Sequence, residues 1–379
     1  MRTRILLTPE DFHACYLASL AFAGLSNREA ERSWLERALV IAPKNTHIET
    51  SLGISRLRDG DTNAAHAAFD KAIRHSWNFA PARYNRALIE LEAMHFARGW
   101  SDYEWRFSYP SAPGVWREFP SPVWDGTSPL DGKLLVWAEQ SISTQILFSS
   151  VLWELDLPGG LIIETAAELI PLLERAMPDV EIVPVATPAN PRLFQDDIAA
   201  QIPLGRLCGL KRQSLEAFKN GKQNFLYAEA ERSIDLMLDL AKPEKFTIGL
   251  AWREGGVNGV SLPLAQLENL LRVPNITWVS LEDDQALAEI GAFEAKTGIH
   301  IVNDHGVDTA CDLDGLAALV LACDLVLSVD KPAAHLAGAL GQSVWTLLPD
   351  RRMARWYWFS GHLPRPIKLA RWYPSMRLV

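Results

Sequence analysis

Three polar residues in the last quarter of the 379-residue chain have the types and spacing to bind a phosphate group. Asp330 and Lys331 directly follow the apolar run 325–329, and His335 comes four residues after Lys331. If this run is a buried strand, these residues begin the next helix, whose free N–H groups and partial positive charge attract anions, and Lys331 adds a cation. Asp330 could instead cap the helix without any ligand, and His335 could be an ordinary packed helix residue.

A second candidate position follows the apolar run 245–252. Trp252 ends this run, and Arg253 opens the glycine-rich loop 253–259. An aromatic ring at a strand end could stack on a nucleobase, and a glycine-rich loop lets the backbone approach a phosphate closely. Core packing of Trp252 and an ordinary surface turn are the alternatives. No GxGxxG follows the first predicted strand and no GxxxxGK[ST] is present, which disfavours nicotinamide, flavin and P-loop nucleotide sites.

Short apolar strands alternate with helix-length stretches from residue 133 onwards. The predicted strands are 133–139, 161–165 and 180–185 in a first set, and 245–252, 276–281, 299–303, 325–329 and 344–348 in a second. Such alternation indicates parallel sheets covered on both faces. We therefore predict two Rossmann-like domains, 133–243 and 244–349, which bind ligands beyond the carboxyl ends of their strands. The stretch 188–224 has no clear periodicity.

Residues 1–110 carry a repeat of 34 residues. Ser19, Gly53 and Ala87 share one column, and Leu35, Phe69 and Tyr103 share another. Small residues recur where two helices must touch closely, and a large apolar residue recurs four positions later, on the same helical face. This period and pattern are typical of tetratricopeptide repeats, which present a concave surface to another polypeptide. An unrelated helical bundle with coincident spacing is the alternative. The predicted fold class is thus α + α/β.

The overall composition limits the classes of function. Asp and Glu number 46 against 37 Lys and Arg, for a formal net charge of -9, which argues against a nucleic-acid or membrane-surface binder. The four cysteines are far apart, so neither a disulfide framework nor a metal site is expected. We see neither a secretory signal nor a membrane span in the sequence, and we predict a cytoplasmic protein.

Two segments lie outside the predicted domains. Residues 111–132 are rich in proline and aromatic residues, which predicts a connecting strap packed onto its neighbours rather than a flexible linker. The final segment, 350–379, is also rich in aromatic residues, and we expect these to pack. It carries Arg351 and Arg352, which could instead meet the phosphates of a ligand.

Several motifs together resemble those of bacterial tetratricopeptide-repeat glycosyltransferases. They are Gly99-Trp100, Tyr103-Glu104-Trp105-Arg106, Trp124-Asp125-Gly126, Ala138-Glu139-Gln140, Ser328-Val329-Asp330, the run Ala334 to Gly341, and Trp372 to Leu378. These proteins are similar to heptosyltransferases and, more distantly, to O-GlcNAc transferases.

The resemblance implies a GT-B architecture, in which two Rossmann domains face a cleft and the chain end, here 350–379, crosses back to the first of them. A nucleotide-activated sugar would bind mainly to the second domain, with Trp252, Arg253, Asp330, Lys331 and His335 as candidate donor-binding residues. The mechanism would be independent of metal, and no cofactor is implied beyond the nucleotide-sugar substrate. Some members modify flagellin, with the repeats recruiting the protein acceptor.

The chain departs from the family at the expected catalytic position. The family pattern after the first strand is Glu-Gln-Gly-x-Gly-Asp, whereas this chain has Glu139-Gln140-Ser141-Ile142-Ser143-Thr144. Thr144 stands where the family carries its general base, and a hydroxyl cannot hold a proton near neutral pH. Glu139 is the nearest other carboxylate in sequence, and its alternative role is to fix the loop by hydrogen bonds. A phosphate-binding cation expected just before Ser261 is also missing.

These departures leave three hypotheses. The first is a transferase that uses another base and another donor, such as a CMP-activated nonulosonic acid, with a protein acceptor. The second is a catalytically inactive relative retained as an adaptor. The third is a lipopolysaccharide-type transferase with a lipid-linked acceptor, which the acidic composition makes less attractive.

Overall fold

The computed structural model of the chain describes residues 11–253, 261–349, 355–359 and 368–379. The chain divides into two compact units. The helical unit contains the described residues up to Val115 together with those between Pro349 and Leu363. The sheet unit contains Trp116–Leu348 and the described residues from Pro364 onwards.

Helical pairs build the first unit. Its helices within the described residues are α1 Phe12–Gly24, α2 Arg28–Ile41, α3 Thr46–Arg58, α4 Thr62–His75, α5 Ala80–Glu92 and α6 Phe96–Tyr103. The first helices of the three pairs begin 34 residues apart, and so do the second helices. The period read from the sequence is therefore the spacing of the helical pairs.

Side-chain caps explain where the first four helices begin. Asp11, Asn27, Asn45 and Asp61 each accept a hydrogen bond from a backbone N–H in the first turn of the helix that follows. Such caps satisfy N–H groups that have no partner within the helix and typically contribute about 1 kcal/mol each. The helix starts are thus encoded locally.

The repeated small and large residues lie where paired helices touch. Gly53 of α3 faces Phe69 of α4, and a Cβ on Gly53 would stand only 2.5 Å from Phe69 Cε1. Tyr103 and Leu35, which share the column of Phe69, are also buried. Close approach of the helix axes therefore depends on the small-residue column predicted from the sequence.

The end of the chain returns to the helical unit in part. The ring of Trp356 lies 5.3 Å from that of Trp100, and Phe359 lies 6.0 Å from Phe96. We predicted that 350–379 would cross back to the first Rossmann-like domain, and for 355–359 this is wrong. The aromatic side chains of α6 offer this short segment an apolar surface on which to pack.

The sheet unit contains two sheets with helices between their strands. Its first part comprises β1 Lys133–Trp137, α7 Ile142–Ser149, β2 Leu161–Thr165, α8 Ile170–Ala176, β3 Glu181–Pro184, β4 Ile198–Pro203, α9 Leu204–Lys211 and α10 Ala230–Leu240. The second part comprises β5 Phe246–Ala251, α11 Leu264–Leu271, β6 Ile276–Ser280, α12 Leu287–Thr297, β7 Ile301–Val302, α13 Leu313–Leu321, β8 Leu325–Val329, α14 Pro332–Leu340, β9 Val344–Leu347, β10 Lys368–Leu369 and β11 Met376–Leu378.

Both sheets are largely parallel. The first has the strand order β3-β2-β1-β4, and the second has the order β10-β11-β9-β8-β5-β6-β7. Only the pair β10–β11 is antiparallel among the described strands. The predicted strands are present with ends that agree or differ by one or two residues, whereas β4 and α9 lie in the stretch where we saw no periodicity.

The segment 116–124 packs along the first sheet, as predicted for the connecting strap. Trp124 donates its backbone N–H to Gln201 O, and Gln201 N donates to Pro122 O, so the strap covers the open edge of β4. This pairing at Gln201 leaves fewer open backbone groups on β4 for pairing with another chain. These contacts are those of a packed segment, and the assignment of 111–132 as a connecting strap stays a prediction.

The C-terminal residues join both parts of the sheet unit. β11 pairs with β9 of the second sheet. The ring of Trp372 lies 4.8 Å from Phe218 and 6.1 Å from Phe148, which belong to the first part. No helix in the described parts of the chain has both the length and the apolar character needed to cross a bilayer.

Candidate site at the carboxyl edge of the second sheet

Three neighbouring strands bring the candidate residues to one edge. β8, β5 and β6 are adjacent and parallel, so their carboxyl ends meet. Trp252 and Arg253 follow β5, and Asp330 and Lys331 follow β8. The structure thus brings together four of the five predicted donor-binding residues at the strand ends, and His335 follows on the first turns of α14.

Glu282, which follows β6, is the centre of this edge. Its Oε1 accepts hydrogen bonds from the backbone N–H of Trp252 at 2.7 Å and of Arg253 at 2.8 Å. Its Oε2 accepts from Lys331 Nζ at 2.6 Å, and its side chain is 3% exposed. The charge of Lys331 is therefore paired inside the protein. We missed Glu282 in the sequence, although its place directly after the predicted strand 276–281 was a usable signal.

Asp330, His335 and Tyr373 form a hydrogen-bonded chain. His335 Nε2 lies 3.1 Å from Asp330 Oδ1, and His335 Nδ1 lies 2.9 Å from the Tyr373 hydroxyl. Burial, with the nearby charge of Asp330, raises the pKa of Tyr373 well above its ordinary value, so the phenol keeps its proton. In a neutral imidazole, Tyr373 then donates to Nδ1, and Nε2–H donates to the carboxylate of Asp330. His335 therefore orients Asp330.

Trp252 does not offer a surface for a nucleobase. Its side chain is fully buried among Ile248, Leu250 and Leu264. Its Nε1 donates to Glu289 Oε2 at 3.0 Å, which satisfies the indole in the core. The prediction that Trp252 stacks on a nucleobase is thus wrong. Burial of its large apolar ring in the core stabilises the fold more than exposure at the sheet edge would. The core-packing alternative is confirmed.

A further histidine lies at the same edge. His305 follows β7, and its Nε2 donates to Ser280 O at 3.0 Å. Its Nδ1 accepts the backbone N–H of Val307 at 3.3 Å. Burial lowers the pKa of His305 below its usual value, in spite of the hydrogen bond to Ser280. This histidine is therefore neutral at physiological pH and adds no cation to the edge.

At the edge of the first sheet, Glu139 binds a helix end. Its Oε1 accepts the backbone N–H of Gly205, in the first turn of α9, at 2.8 Å. A carboxylate in this position satisfies a free N–H group and complements the positive end of the helix. The geometry therefore gives Glu139 the loop-fixing role, and its use as a general base stays a prediction.

Thr144 is bonded within its own loop. Its hydroxyl lies 2.8 Å from Ser141 Oγ and donates to Ser141 O at 2.9 Å. These contacts close the first turn of α7, which packs against α14. Thr144, which stands where the resembled family carries its acidic residue, thus stabilises the start of α7 through these hydrogen bonds.

Replacing Glu139 by Gln tests its structural role. The amide still accepts from Gly205 N but loses its favourable charge at the helix end, so we expect the free energy of unfolding to fall by about 0.3–1 kcal/mol. Thermal denaturation measures this loss. Glu139→Ala, which removes the acceptor as well, is expected to cost about 0.5–2 kcal/mol. Equal stability of all three proteins would contradict the capping role.

Two earlier predictions concern other parts of the chain. The remainder of the glycine-rich loop, 254–259, and Arg351 and Arg352 lie outside the described residues. Within the described residues, no cluster of His, Cys, Asp and Glu has the arrangement to hold a metal ion.

Comparison with known proteins gives the following results. No known protein-family profile matches the sequence. Among solved structures, the chain is similar to a family 9 glycosyl transferase from Veillonella parvula, at 11% identity and a TM-score of 0.44, over 67% of this chain and 88% of that one. It is also similar to E. coli ADP-heptose lps heptosyltransferase II, at 13% identity and a TM-score of 0.43, over 65% and 90% of the two chains.

Two further similarities extend over almost the whole chain. A variant of Thermobaculum terrenum O-GlcNAc transferase aligns at 11% identity and a TM-score of 0.32, over 92% of this chain and 78% of that one. In sequence, the chain is 27% identical over 431 residues to Protein FlbA of Caulobacter vibrioides, covering 98% of this chain and 70% of FlbA. The likeness to FlbA therefore spans both the helical and the sheet unit.

Proposed function

We propose that this protein is a glycosyltransferase that moves a sugar from a nucleotide-activated donor to a protein acceptor. The observation that carries the proposal is the convergence of Arg253, Asp330, Lys331 and His335 at the carboxyl edge of a parallel sheet, where such sheets bind nucleotides. The N-terminus of α14 adds a positive end at this edge. The similarity to glycosyltransferases stated above agrees with it.

The acceptor and its recruitment are part of the same proposal. The helical pairs, repeated every 34 residues, act as tetratricopeptide repeats whose concave face holds the acceptor, with flagellin as the proposed substrate. The two parts of the sheet unit act as the two Rossmann-like halves of a GT-B enzyme that works in the cytoplasm without a metal ion. The nucleotide-sugar is a substrate, and we propose no further cofactor.

A second candidate function is that of an inactive adaptor. It is favoured by the hydrogen bonds that engage Glu139 with α9 and Thr144 with Ser141, because neither side chain is then placed as a general base. Nucleotide binding without hydrolysis or transfer would support the adaptor.

Calorimetry with the full chain tests the proposed function. The probes are UDP, GDP, ADP and CMP with their sugar conjugates. We expect one nucleotide to bind with a Kd of about 1–100 μM, and Lys331→Ala to weaken it. Absence of binding across the panel would contradict the transferase and direct the search to protein partners of the repeats.

A restored motif distinguishes the two candidate functions. Thr144→Asp combined with Ser141→Gly and Ser143→Gly returns the family's acidic residue to the start of α7. A properly placed general base typically contributes about 10²–10⁴-fold, so hydrolysis of the bound donor should rise well above that of the original chain. No gain in hydrolysis would mean that the surroundings of this loop no longer support catalysis. The single change Ser143→Gly is the control.

A further inference from the structure

We propose that the exposed face of α10 is a docking surface for a helix of a partner protein, and that this helix carries apolar residues bordered by lysine or arginine. α10 belongs to the sheet unit. The recruitment of an acceptor is proposed for the helical pairs, which belong to the other unit. The partner bound at α10 is therefore additional to the proposed acceptor.

One side of α10 holds the helix on the protein. Ser233, Leu236 and Leu240 lie on this side and are buried. Arg232 pairs with Asp312 at 2.7 Å, and Asp312 caps the start of α13. These contacts fix the position of α10 and leave the rest of its circumference in contact with water.

A stripe of large apolar side chains runs along a second side of α10. Ile234, Met237 and Leu238 are 54%, 47% and 70% exposed. Their spacing of three and four residues places them on one face of the helix. The outer side of a surface helix normally carries polar residues, and an exposed apolar stripe with this spacing is typical of a face that another helix covers.

A row of carboxylates borders the apolar stripe. Glu231, Asp235 and Asp239 follow one another at intervals of four residues, and all three are exposed. Within the described parts of the chain, none of them forms a hydrogen bond or an ion pair. Like charges four residues apart repel one another along a helix, so the row destabilises α10 until cations approach it.

This charge pattern favours a basic partner helix over a second copy of the chain. Two copies of α10 packed antiparallel on the apolar stripe would place their carboxylate rows opposite each other. A parallel pair would supply no unpaired cation from α10, because Arg232 is already bonded to Asp312 within each copy. A helix whose apolar residues are bordered by lysine or arginine covers the stripe and neutralises the row together.

Peptide binding to the full chain tests the proposal. The probe is a synthetic amphipathic helix of about 20 residues, a length at which helices form in isolation. It carries leucine along one face and lysine on the borders of that face, and a second peptide carries glutamate in place of lysine. By fluorescence anisotropy we expect the lysine peptide to bind with a Kd of about 1–100 μM, and the glutamate peptide at least about tenfold more weakly.

A pair of charge variants separates the α10 surface from the overall negative charge. Asp235→Lys combined with Asp239→Lys should reverse the preference, so that the glutamate peptide becomes the tighter ligand. Glu174→Lys combined with Asp179→Lys makes the same change in net charge at two exposed positions outside α10. This control should keep the preference of the original chain.

A pair of apolar variants tests the stripe. Leu238→Ser should weaken binding of the lysine peptide by about tenfold, because it removes the most exposed apolar side chain of the stripe. Leu270→Ser on α11, where Leu270 is 39% exposed, is the control and should change the affinity by less than about twofold. Thermal melts of all variants should stay close to that of the original chain, because every changed side chain is exposed.

Three outcomes would overturn the proposal, and none of them depends on nucleotide binding. The first is that the lysine peptide does not bind, and the second is that a variant on α10 affects binding no more than its control does. The third is a dimer in sedimentation that Leu238→Ser dissociates, because a second copy then covers the face. Reversal of the preference confined to Asp235→Lys with Asp239→Lys, together with loss of affinity confined to Leu238→Ser, would support the basic partner helix.

Discussion

Replacing Arg117 by Ala should lower the free energy of unfolding of the sheet unit by about 3–5 kcal/mol, because it leaves a buried carboxylate without its counter-ion. Arg117, on the strap, donates to both oxygens of Glu164, with its Nη2 at 2.9 Å from Oε1. The side chain of Glu164 is fully buried on β2. Arg117 also lies over the rings of Phe119 and Trp137, so its removal opens a packed contact as well.

The pH dependence of this loss has a defined sign. Burial raises the pKa of Glu164 above its ordinary value, although the hydrogen bond from Arg117 opposes the rise. When the pKa of a carboxyl group is higher in the folded than in the unfolded protein, the group stabilises the folded state at pH values below its unfolded-state pKa. This stabilisation is lost as the pH rises through the folded-state pKa. Without Arg117 the folded pKa rises further. The variant should therefore be closest to the original chain near pH 5 and most destabilised near pH 8.

Urea unfolding followed by circular dichroism at both pH values measures the effect. The matched control is Arg192→Ala in the connection between β3 and β4, since Arg192 pairs with Glu181 and Asp197, whose side chains are 35% and 46% exposed. Exposed pairs contribute about 0–1 kcal/mol, so this control should lose little. A loss for Arg117→Ala no larger than that of the control would show that water reaches Glu164.

Replacing Tyr373 by Ala should cost about 3–5 kcal/mol, the typical loss when a large aromatic side chain is removed from a core. Tyr373 is fully buried and fills the space above Gly338 of α14, where a Cβ would stand 2.4 Å from Tyr373 Cγ. Its ring stacks on Phe225 with an angle of 17° between the planes. The C-terminal segment thus holds α14, and with it Asp330 and His335, in position.

Tyr373→Phe separates the hydroxyl from the ring. This change keeps the packing but removes the partner at 2.9 Å from His335 Nδ1, for an expected cost of about 1–3 kcal/mol. Thermal melts of both variants measure the losses. Tyr227→Ala is the control, because Tyr227 is 42% exposed and its loss should stay within about 0.5 kcal/mol. If Tyr373→Phe costs no more than Tyr227→Ala, the hydrogen bonds that join Tyr373, His335 and Asp330 contribute nothing to stability.

Sequence alone determined the local features of this protein. The 34-residue period placed the helical pairs, and apolar runs placed β2 and β8 at their observed bounds. These features are visible because burial of one helix face, or of a whole strand, imposes a periodicity on adjacent residues. β4 and α9 were missed because α9 begins directly after β4, so that no turn separates the strand from the helix in the sequence. Trp252 was misread as a binding surface because a residue type does not state its exposure.

The tertiary structure decided the partners of each charge. β5 lies between β6 and β8 in the second sheet, although β8 follows β6 by two strands in the chain. This order brings Glu282 to Lys331, 49 residues away, and the C-terminal segment brings Tyr373 to His335, 38 residues away. Pairing across such separations depends on strand order and packing, which no local pattern encodes. Lys331 was therefore predictable as a cation at the right edge, but its neutralisation by Glu282 was not.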